Sequence, residues 1–172
     1  MLLPYDPRWP HQFRQAAERI NHSGNPDWLI EHIGSTAIPG MPAKPIIDLA
    51  VRIDGPTDFL RHRRGLEAAG WRSGSSIKTH PVMLLDPNGR RTHIAHFFDR
   101  STWDSNNQRL LRDWLLTHPE DATEYAEAKR TAEHDSLLGR ATYNAAKTAV
   151  IQRIVDRART ARGLPLAPVQ DK

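Results

Sequence analysis

The segment EHIGSTAIPGMPAKPIIDLAV, residues 31–51, sets a Gly-Ser pair, a lysine and an aspartate between and within two apolar runs. Each of these residue types suits phosphate chemistry. Gly34 has no Cβ, so another group can approach its backbone closely. Ser35 offers a hydroxyl and an amide to a phosphate oxygen, and short loops of this kind aim backbone N–H groups at anions. Lys44 adds a mobile positive charge. Asp48, inside the second apolar run, is a hard oxygen ligand of the kind Mg2+ takes beside nucleotide phosphates. Together these parts could hold a nucleoside triphosphate such as ATP, with its metal, in line with a nucleophile. Each part also has an ordinary role. Gly-Ser can be a strand-end turn, Lys44 a surface lysine, and Asp48 the hydrogen-bond partner of a neighbouring loop. Spacing alone leaves both readings open.

The elements that must position these residues follow from periodicity. Residues 28–33 and 45–53 read as strands. Period-two alternation puts Ile47, Leu49, Val51 and Ile53 on one face and Ile46, Asp48, Ala50 and Arg52 on the other, so one face is core and the other carries Asp48. Ahead of them, Asp6 suits an N-cap and Pro7 the first position of a helix that aligns Trp9, Phe13, Ala16 and Ile20. Behind them, Thr57 or Asp58 caps a second helix anchored by Phe59, Leu60 and Leu66 and stopped at Gly70. Residues 78–98 form a hairpin turning on Asp86-Pro87-Asn88-Gly89. Three helices follow. The first is capped by Ser105 and packs Leu110, Leu111, Trp114 and Leu115, the second runs on from Pro119, and the third spans roughly residues 142–163. The order predicts an α+β fold: a small mixed β-sheet flanked by helices, with a helical C-terminal half. Residues 1–163 read as a single domain and 164–172 as a loose, proline-rich tail.

Composition bounds the function class. A chain of 172 residues with 38% hydrophobic and 26% charged residues is globular and long enough for a real core. It has no cysteine, which excludes disulfides and thiol nucleophiles. The first residues lack a basic region followed by an apolar core, so no signal peptide is expected and a cytoplasmic location is. No apolar run is long enough to span a bilayer, so no membrane partner is expected. The net charge of +4 favours anionic partners. Aromatics do not interleave with the basic clusters at residues 61–64 and 153–162, which argues for solvated helix faces over a nucleic-acid footprint.

Two further positions carry charge into apolar or strand surroundings. Lys147 shares a helical stripe with Tyr143, Val150, Ile151, Ile154 and Ala158. An ammonium there must meet an anion or reach past the helix edge. His93 and His96 lie three apart on a strand, so they point to opposite faces and cannot share a metal without a bulge.

The segments YDPRWP and EHIGSTAIPGMPAKPIIDLAV resemble the signature of the GrpB family, a branch of the nucleotidyltransferase superfamily. The likeness continues through RTHIAHFF, LLRDWLLTHPEDATEYAEAKRTAE and the spacing of Tyr143 and Lys147, from about Tyr5 to Val155. The superfamily motif is Gly-Ser, a short gap, then Asp followed two residues later by Asp or Glu. The resemblance implies a mixed sheet flanked by helices, with Gly34 and Ser35 on the nucleotide phosphates and Asp48 as the first metal carboxylate. It also implies Lys44, Arg112 and Lys147 as charge for phosphates or a substrate carboxylate, and His96 near Asp48 as general base or metal ligand. For Arg112 the ordinary alternative is pairing with Asp113, and for His96 a backbone hydrogen bond. The second carboxylate of the superfamily motif falls at Ala50, which cannot bind a metal. That puts a two-metal mechanism in doubt. The expected activity is Mg-dependent nucleotidyl transfer to a small molecule, or adenylation leading to ligation. The alternative is a degenerate module that binds a nucleotide or another cofactor.

Overall fold

The structure, a computed structural model, describes residues 1–74, 79–137 and 143–169. Five strands form one sheet in the order β1-β2-β5-β4-β3: β1 Leu29–Ile33, β2 Ile47–Ile53, β3 Arg72–Ser73, β4 Val82–Leu85 and β5 His93–Asp99. β2 and β5 run parallel and the other pairs are antiparallel, so the sheet is mixed, as the sequence predicts. The two-residue edge strand β3 is too short to leave a periodic signal.

Alternation along β2 fixes the two faces. Ile47, Leu49, Val51 and Ile53 are buried against α1 (Trp9–Ser23) and α2 (Pro56–Ala68), in a core with Trp9, Ile20, Trp28, Phe59, Leu66 and Phe97. The opposite face carries Glu31 and Ile33 of β1, Asp48 and Ala50 of β2, and Ile94, His96 and Phe98 of β5. Register places Asp48 beside Ile94 and Ala50 beside His96. Three helices stand over that side: α3 (Asn107–Thr117), α4 (Pro119–Leu137) and α5 (Tyr143–Ala161). They join the loop after β1 through a second apolar cluster of Ile38, Met41, Leu115, Tyr125, Ala126 and Ile154. On the α5 stripe, Ile154 and Ala158 are buried, whereas the side chain of Tyr143 lies outside the described residues.

Several helix ends depart from expectation because local polar groups compete for the same side chains. α1 starts at Trp9, with Arg8 at the cap position and Pro10 in the first turn. The carboxylate of Asp6 is taken by the backbone and guanidinium of Arg8, at 2.8 and 2.7 Å, so it caps no helix. α2 starts behind Gly55, one residue before Thr57. Asp58 instead accepts from Trp28 Nε1 at 2.7 Å and from the Asp54 amide at 3.1 Å. Leu60, expected as an anchor, is 62% exposed. α3 is capped by Asn106, not Ser105: its side chain accepts from the amides of Gln108 and Arg109 at 3.0 and 3.1 Å. The segment after α5 is folded back. Gln152 accepts from the Val169 amide at 2.7 Å and donates to the Ala167 carbonyl at 3.0 Å, and Arg159 donates to the Pro165 carbonyl. The sequence predicts a loose tail here; residues 170–172 lie outside the described residues. Among the described residues, no helix is long and apolar enough to cross a membrane.

Candidate functional site

β1 ends at Ile33 and the chain turns at Gly34, with φ 72° and ψ −175°. This is backbone geometry essentially reserved for glycine. A Cβ added at Gly34 would collide with Asp48 Oδ2 and sit 3.1 Å from the Asp48 Cβ. The turn therefore lies directly on the carboxylate, which explains the residue type. Ser35 opens a single 3-10 turn, Ser35–Ala37, closed by bonds from the amides of Ala37 and Ile38 to the carbonyls of Gly34 and Ser35. Buried Thr36 pins this turn through its contact with His32 Nε2 at 3.0 Å and a bond to the Ile46 carbonyl at 3.4 Å.

Between this turn, the sheet face and the three C-terminal helices lies a cleft of about 410 Å³. Gly34, Ser35, Lys44, Asp48, Arg112 and Lys147 all line it. Lys129 lines it as well and is only 6% exposed; its Nζ donates to the Pro42 carbonyl at 2.5 Å and stands 5.3 Å from the Tyr125 ring. The sequence reading missed Lys129. Its signal is the shared α4 face of Tyr125, Lys129 and Ala132, three to four residues apart and all buried. The described walls carry Lys44, Arg91, Arg112, Lys129 and Lys147 and one carboxylate, Asp48; Arg91 is paired with Asp86 and Arg112 with Glu31 and Asp113, so the pull on an anionic occupant comes from the lysines.

Arg112 lines the cleft with its guanidinium engaged within the chain, including the Asp113 pairing that is its ordinary alternative. Its Nη1 donates to the His32 carbonyl at 2.7 Å, its Nη2 to Glu31 at 2.5 Å and its Nε to Asp113 at 2.7 Å. Arg109 grips the same Glu31 at 2.8 and 3.0 Å, and its guanidinium lies 4.2 Å from the Trp103 ring. Burial pushes the Glu31 carboxyl up, but the two arginine bonds outweigh it and hold the group below its ordinary range. Arg112 therefore fastens α3 to the end of β1, two residues ahead of Gly34. The arginines of the basic C-terminal stretch are likewise engaged within the chain: Arg153 and Arg157 with Glu124, Arg157 also with Asp121, and Arg162 with Asp113.

His96 is wholly buried under this floor, with Nε2 3.7 Å from Asp48 Oδ1. Its Nδ1 lies 2.9 Å from Nε2 of His80, a residue the sequence reading passed over. The His80 ring packs at 4.4 Å on Phe98, and its Nδ1 lies 3.0 Å from Thr79 Oγ1. His93 points to the other face, with its ring 6.2 Å from Trp71, as the spacing requires. Burial and, secondarily, Arg19 push its pKa down. His32 stacks on Phe13 at 4.8 Å. Burial drives its pKa down to about 4 although Asp48 pulls the other way, so the ring is neutral at pH 7. Neither histidine lines the cleft.

Ala50, where the second carboxylate of the motif would stand, is wholly buried in an apolar cluster with Ile33, Phe98 and Trp103. No group of three or more metal-binding side chains occurs among the described residues. One carboxylate facing a cationic cleft nevertheless fits Mg2+ that arrives with phosphates, because that ion keeps several waters and needs only one or two carboxylates. It does not fit a pair of bridged ions.

The family model described as GrpB protein matches residues 1–157. A UPF0157 protein of Pseudomonas aeruginosa is 37% identical over 171 residues, covering 96% of this chain and 70% of that protein. The solved structure of the conserved protein GrpB from Enterococcus faecalis superposes with a TM-score of 0.83 at 25% identity, covering 95% of this chain and 99% of that one. A terminal uridylyl transferase of Trypanosoma brucei, solved with bound dUTP, superposes with a TM-score of 0.58 at 14% identity, covering 98% and 63% of the two chains. The fold is thus nucleotidyltransferase-like.

Proposed function

We propose, from the premise that the chain belongs to the GrpB family, that it is a nucleotide-using transferase acting on a small-molecule acceptor. The occupant of the cleft is a nucleoside triphosphate, ATP being the simplest, accompanied by one Mg2+. The observation that carries this reading is the contact between the Gly34 turn and Asp48 at the floor of a cleft with lysines in its walls. The hydroxyl and amide of Ser35 face the phosphate oxygens. Lys44, Lys129 and Lys147 offset their charge, which in a partly desolvated cleft counts for more than in water. Asp48 holds the metal; when bound, Mg2+ polarises a phosphoryl oxygen and offsets charge that builds up on it. Arg112 keeps the turn in place through the His32 carbonyl. The acceptor oxygen bonds to the α-phosphorus as the bond to pyrophosphate breaks; a hydroxyl acceptor gives up its proton to water, and a carboxylate acceptor has none to give. The product is either the nucleotidylated acceptor or an acyl-adenylate that an amine captures.

A second reading has one observation in its favour: Ala50 is sealed in apolar packing where the superfamily motif carries a carboxylate. On that reading the fold binds a nucleotide or related cofactor without turnover. One experiment separates the two. The protein is incubated with ATP, Mg2+ and a metabolite mixture, and mass spectrometry follows pyrophosphate, phosphate and modified metabolites. In parallel, melting is followed with and without MgATP. A ligand at a hundred times its Kd stabilises by about 2.7 kcal/mol, or roughly 5–10 °C for a chain of this size. The transferase reading expects release of pyrophosphate or phosphate and a shift that Asp48→Asn abolishes. Binding that survives both Asp48→Asn and removal of Mg2+, with no release, selects the binding module. No shift under any condition removes both.

A further inference from the structure

The segment after α5 runs back along that helix and ends at the cleft. Gly163, with φ 65°, closes α5: its amide bonds to the Thr160 carbonyl at 3.0 Å and the Leu164 amide to the Arg159 carbonyl at 2.9 Å. This pair of bonds around a left-handed glycine is a Schellman helix end. Beyond it, Pro165 is tied to Arg159, and Ala167 and Val169 to Gln152, two turns earlier on α5. Arg159 is only 5% exposed and also donates to the Ser105 carbonyl at 2.8 Å and to Asn107 Oδ1 at 2.7 Å. Asn107 Nδ2 in turn donates to the Pro168 carbonyl at 3.2 Å. Three polar side chains thus fasten residues 164–169 to α3 and α5, and Val169 lines the cleft.

The lining changes character along α5. Lys147 lines the cleft, and Ile151 and Val155 follow one and two turns later, about 6 and 12 Å along the helix. Around them stand Asn107, Gln108, Leu111 and Val169, none of them charged. Both amide atoms of Asn107 are already engaged. Leu111, Ile151 and Val169 are each half-buried, so apolar surface stays open at this end. An apolar group that covers it gains by leaving water, whereas a charged group would meet no opposite charge among these side chains.

We propose that residues 164–169 are a specificity-determining strap: Val169 forms the end wall of the cleft and, with Leu111 and Ile151, makes a pocket for the uncharged, aliphatic end of the acceptor. The acceptor's role rests on the transferase reading given above, in which the lysines meet the phosphates. The family match ends at residue 157, so family membership alone does not imply this wall.

The test uses linear monoalkyl phosphates from methyl to octyl and, in parallel, n-alkanols of the same lengths. Binding to the full chain is read from the methyl signals of Val155 and Val169 in 13C-valine-labelled protein, and in Val169→Ala from Val155 alone. Each methylene that leaves water for this pocket should tighten binding about fourfold. The gain should stop at a limiting chain length, where the alkyl group meets Val169. Val169→Ala takes two carbons from the wall and should lengthen that limit by about one or two methylenes. Gln152→Leu, at a residue outside the cleft, removes the partner of Ala167 and Val169 and should also move the limit to longer chains. Methyl phosphate should bind both variants within about twofold of wild type. Affinity that ignores chain length, or a limit that neither variant moves, overturns the proposal. Methyl phosphate that binds while longer chains gain nothing also overturns it and leaves the anion site intact. If the alkanols show the gain and the limit but no phosphate binds, the pocket stands and the nucleotide reading fails.

Discussion

Replacing Gly34 with alanine tests the geometry on which the site depends. The residue has φ 72° and ψ −175°, a region that costs other residues of order 1–3 kcal/mol. For a chain of 172 residues each kcal/mol moves the melting point by about 2–4 °C, so backbone strain alone predicts a loss of roughly 2–12 °C. The collision adds to this, because the new methyl group would overlap Asp48 Oδ2 and force the carboxylate off its position. Gly40→Ala is the control. Gly40 also has positive φ, at 76°, but its added Cβ meets nothing within 4 Å, so only a backbone cost of about 1–2 kcal/mol is expected. Asp48→Ala supplies the second arm, since it removes the oxygen that the methyl group strikes and leaves the Cβ contact at 3.1 Å. Thermal or urea unfolding of the four members of the Gly34–Asp48 cycle, without ligand, gives the coupling directly. Gly34→Ala should cost less in the Asp48→Ala background than in wild type, by an amount in the range of about 0.5–3 kcal/mol typical of touching residues. Equal cost in both backgrounds, no greater than that of Gly40→Ala, would falsify the contact between turn and carboxylate and with it the proposed site.

His32 gives stability a pH dependence. Its folded pKa of about 4 lies below the ordinary 6.5, so the term is absent above pH 6.5, where both states are neutral. It grows as the unfolded chain takes up a proton that the folded one refuses, and it levels off below about pH 4 at a loss of about 3 kcal/mol. Urea midpoints measured from pH 7.5 to 4 should fall more steeply in wild type than in His32→Phe, and parallel curves count against the buried neutral ring. Lys129→Met keeps the length of the stem and removes the charge from the cleft wall. The melting shift produced by inorganic tripolyphosphate should shrink by half or more while the ligand-free melting point changes by no more than about 4 °C. A shift equal to wild type would remove Lys129 from the anion site.

What the sequence made legible is what local periodicity controls. Alternation through residues 46–53 assigned the core face and the Asp48 face correctly, because a half-buried strand has only two choices. The helices were equally readable, but their ends were not. Asp6, Asp58 and Ser105 have the right chemistry for caps, and each lost the position to a competitor. Arg8 took the carboxylate of Asp6, Trp28 took that of Asp58, and Asn106 stood one residue closer to α3 than Ser105. Arg112 illustrates a deeper limit. Its partners Glu31 and the His32 carbonyl lie some 80 residues away, and nothing in the run LLRDWLL announces them. His80 was within reach. The hairpin turning at residues 86–89 pairs Leu85 with His93 and Val82 with His96, and the same register carried two residues further sets His80 opposite Phe98, on the face of His96.

Ala50 brings these observations together. The superfamily motif would place a carboxylate there, one alternation step from Asp48 on the same face. In this chain that step is occupied by a methyl group, wholly buried beneath Phe98 and Trp103, and its cross-strand neighbour is His96. A carboxylate at this point would sit among the apolar side chains of that cluster and directly across from Glu31, whose carboxylate already holds Arg109 and Arg112. The alanine is therefore part of a consistent packing arrangement: Ile33, Ala50, Phe98 and Trp103 close the floor beside Asp48. Beside them, Nε2 of buried His96 lies 3.7 Å from the remaining carboxylate. On the proposed function, charge that a second ion would neutralise is met by the lysines that line the cleft, Lys129 and Lys147 of the helical wall among them. Such a division, with one carboxylate on the sheet and cations on the helices, suits a single metal delivered with its phosphates.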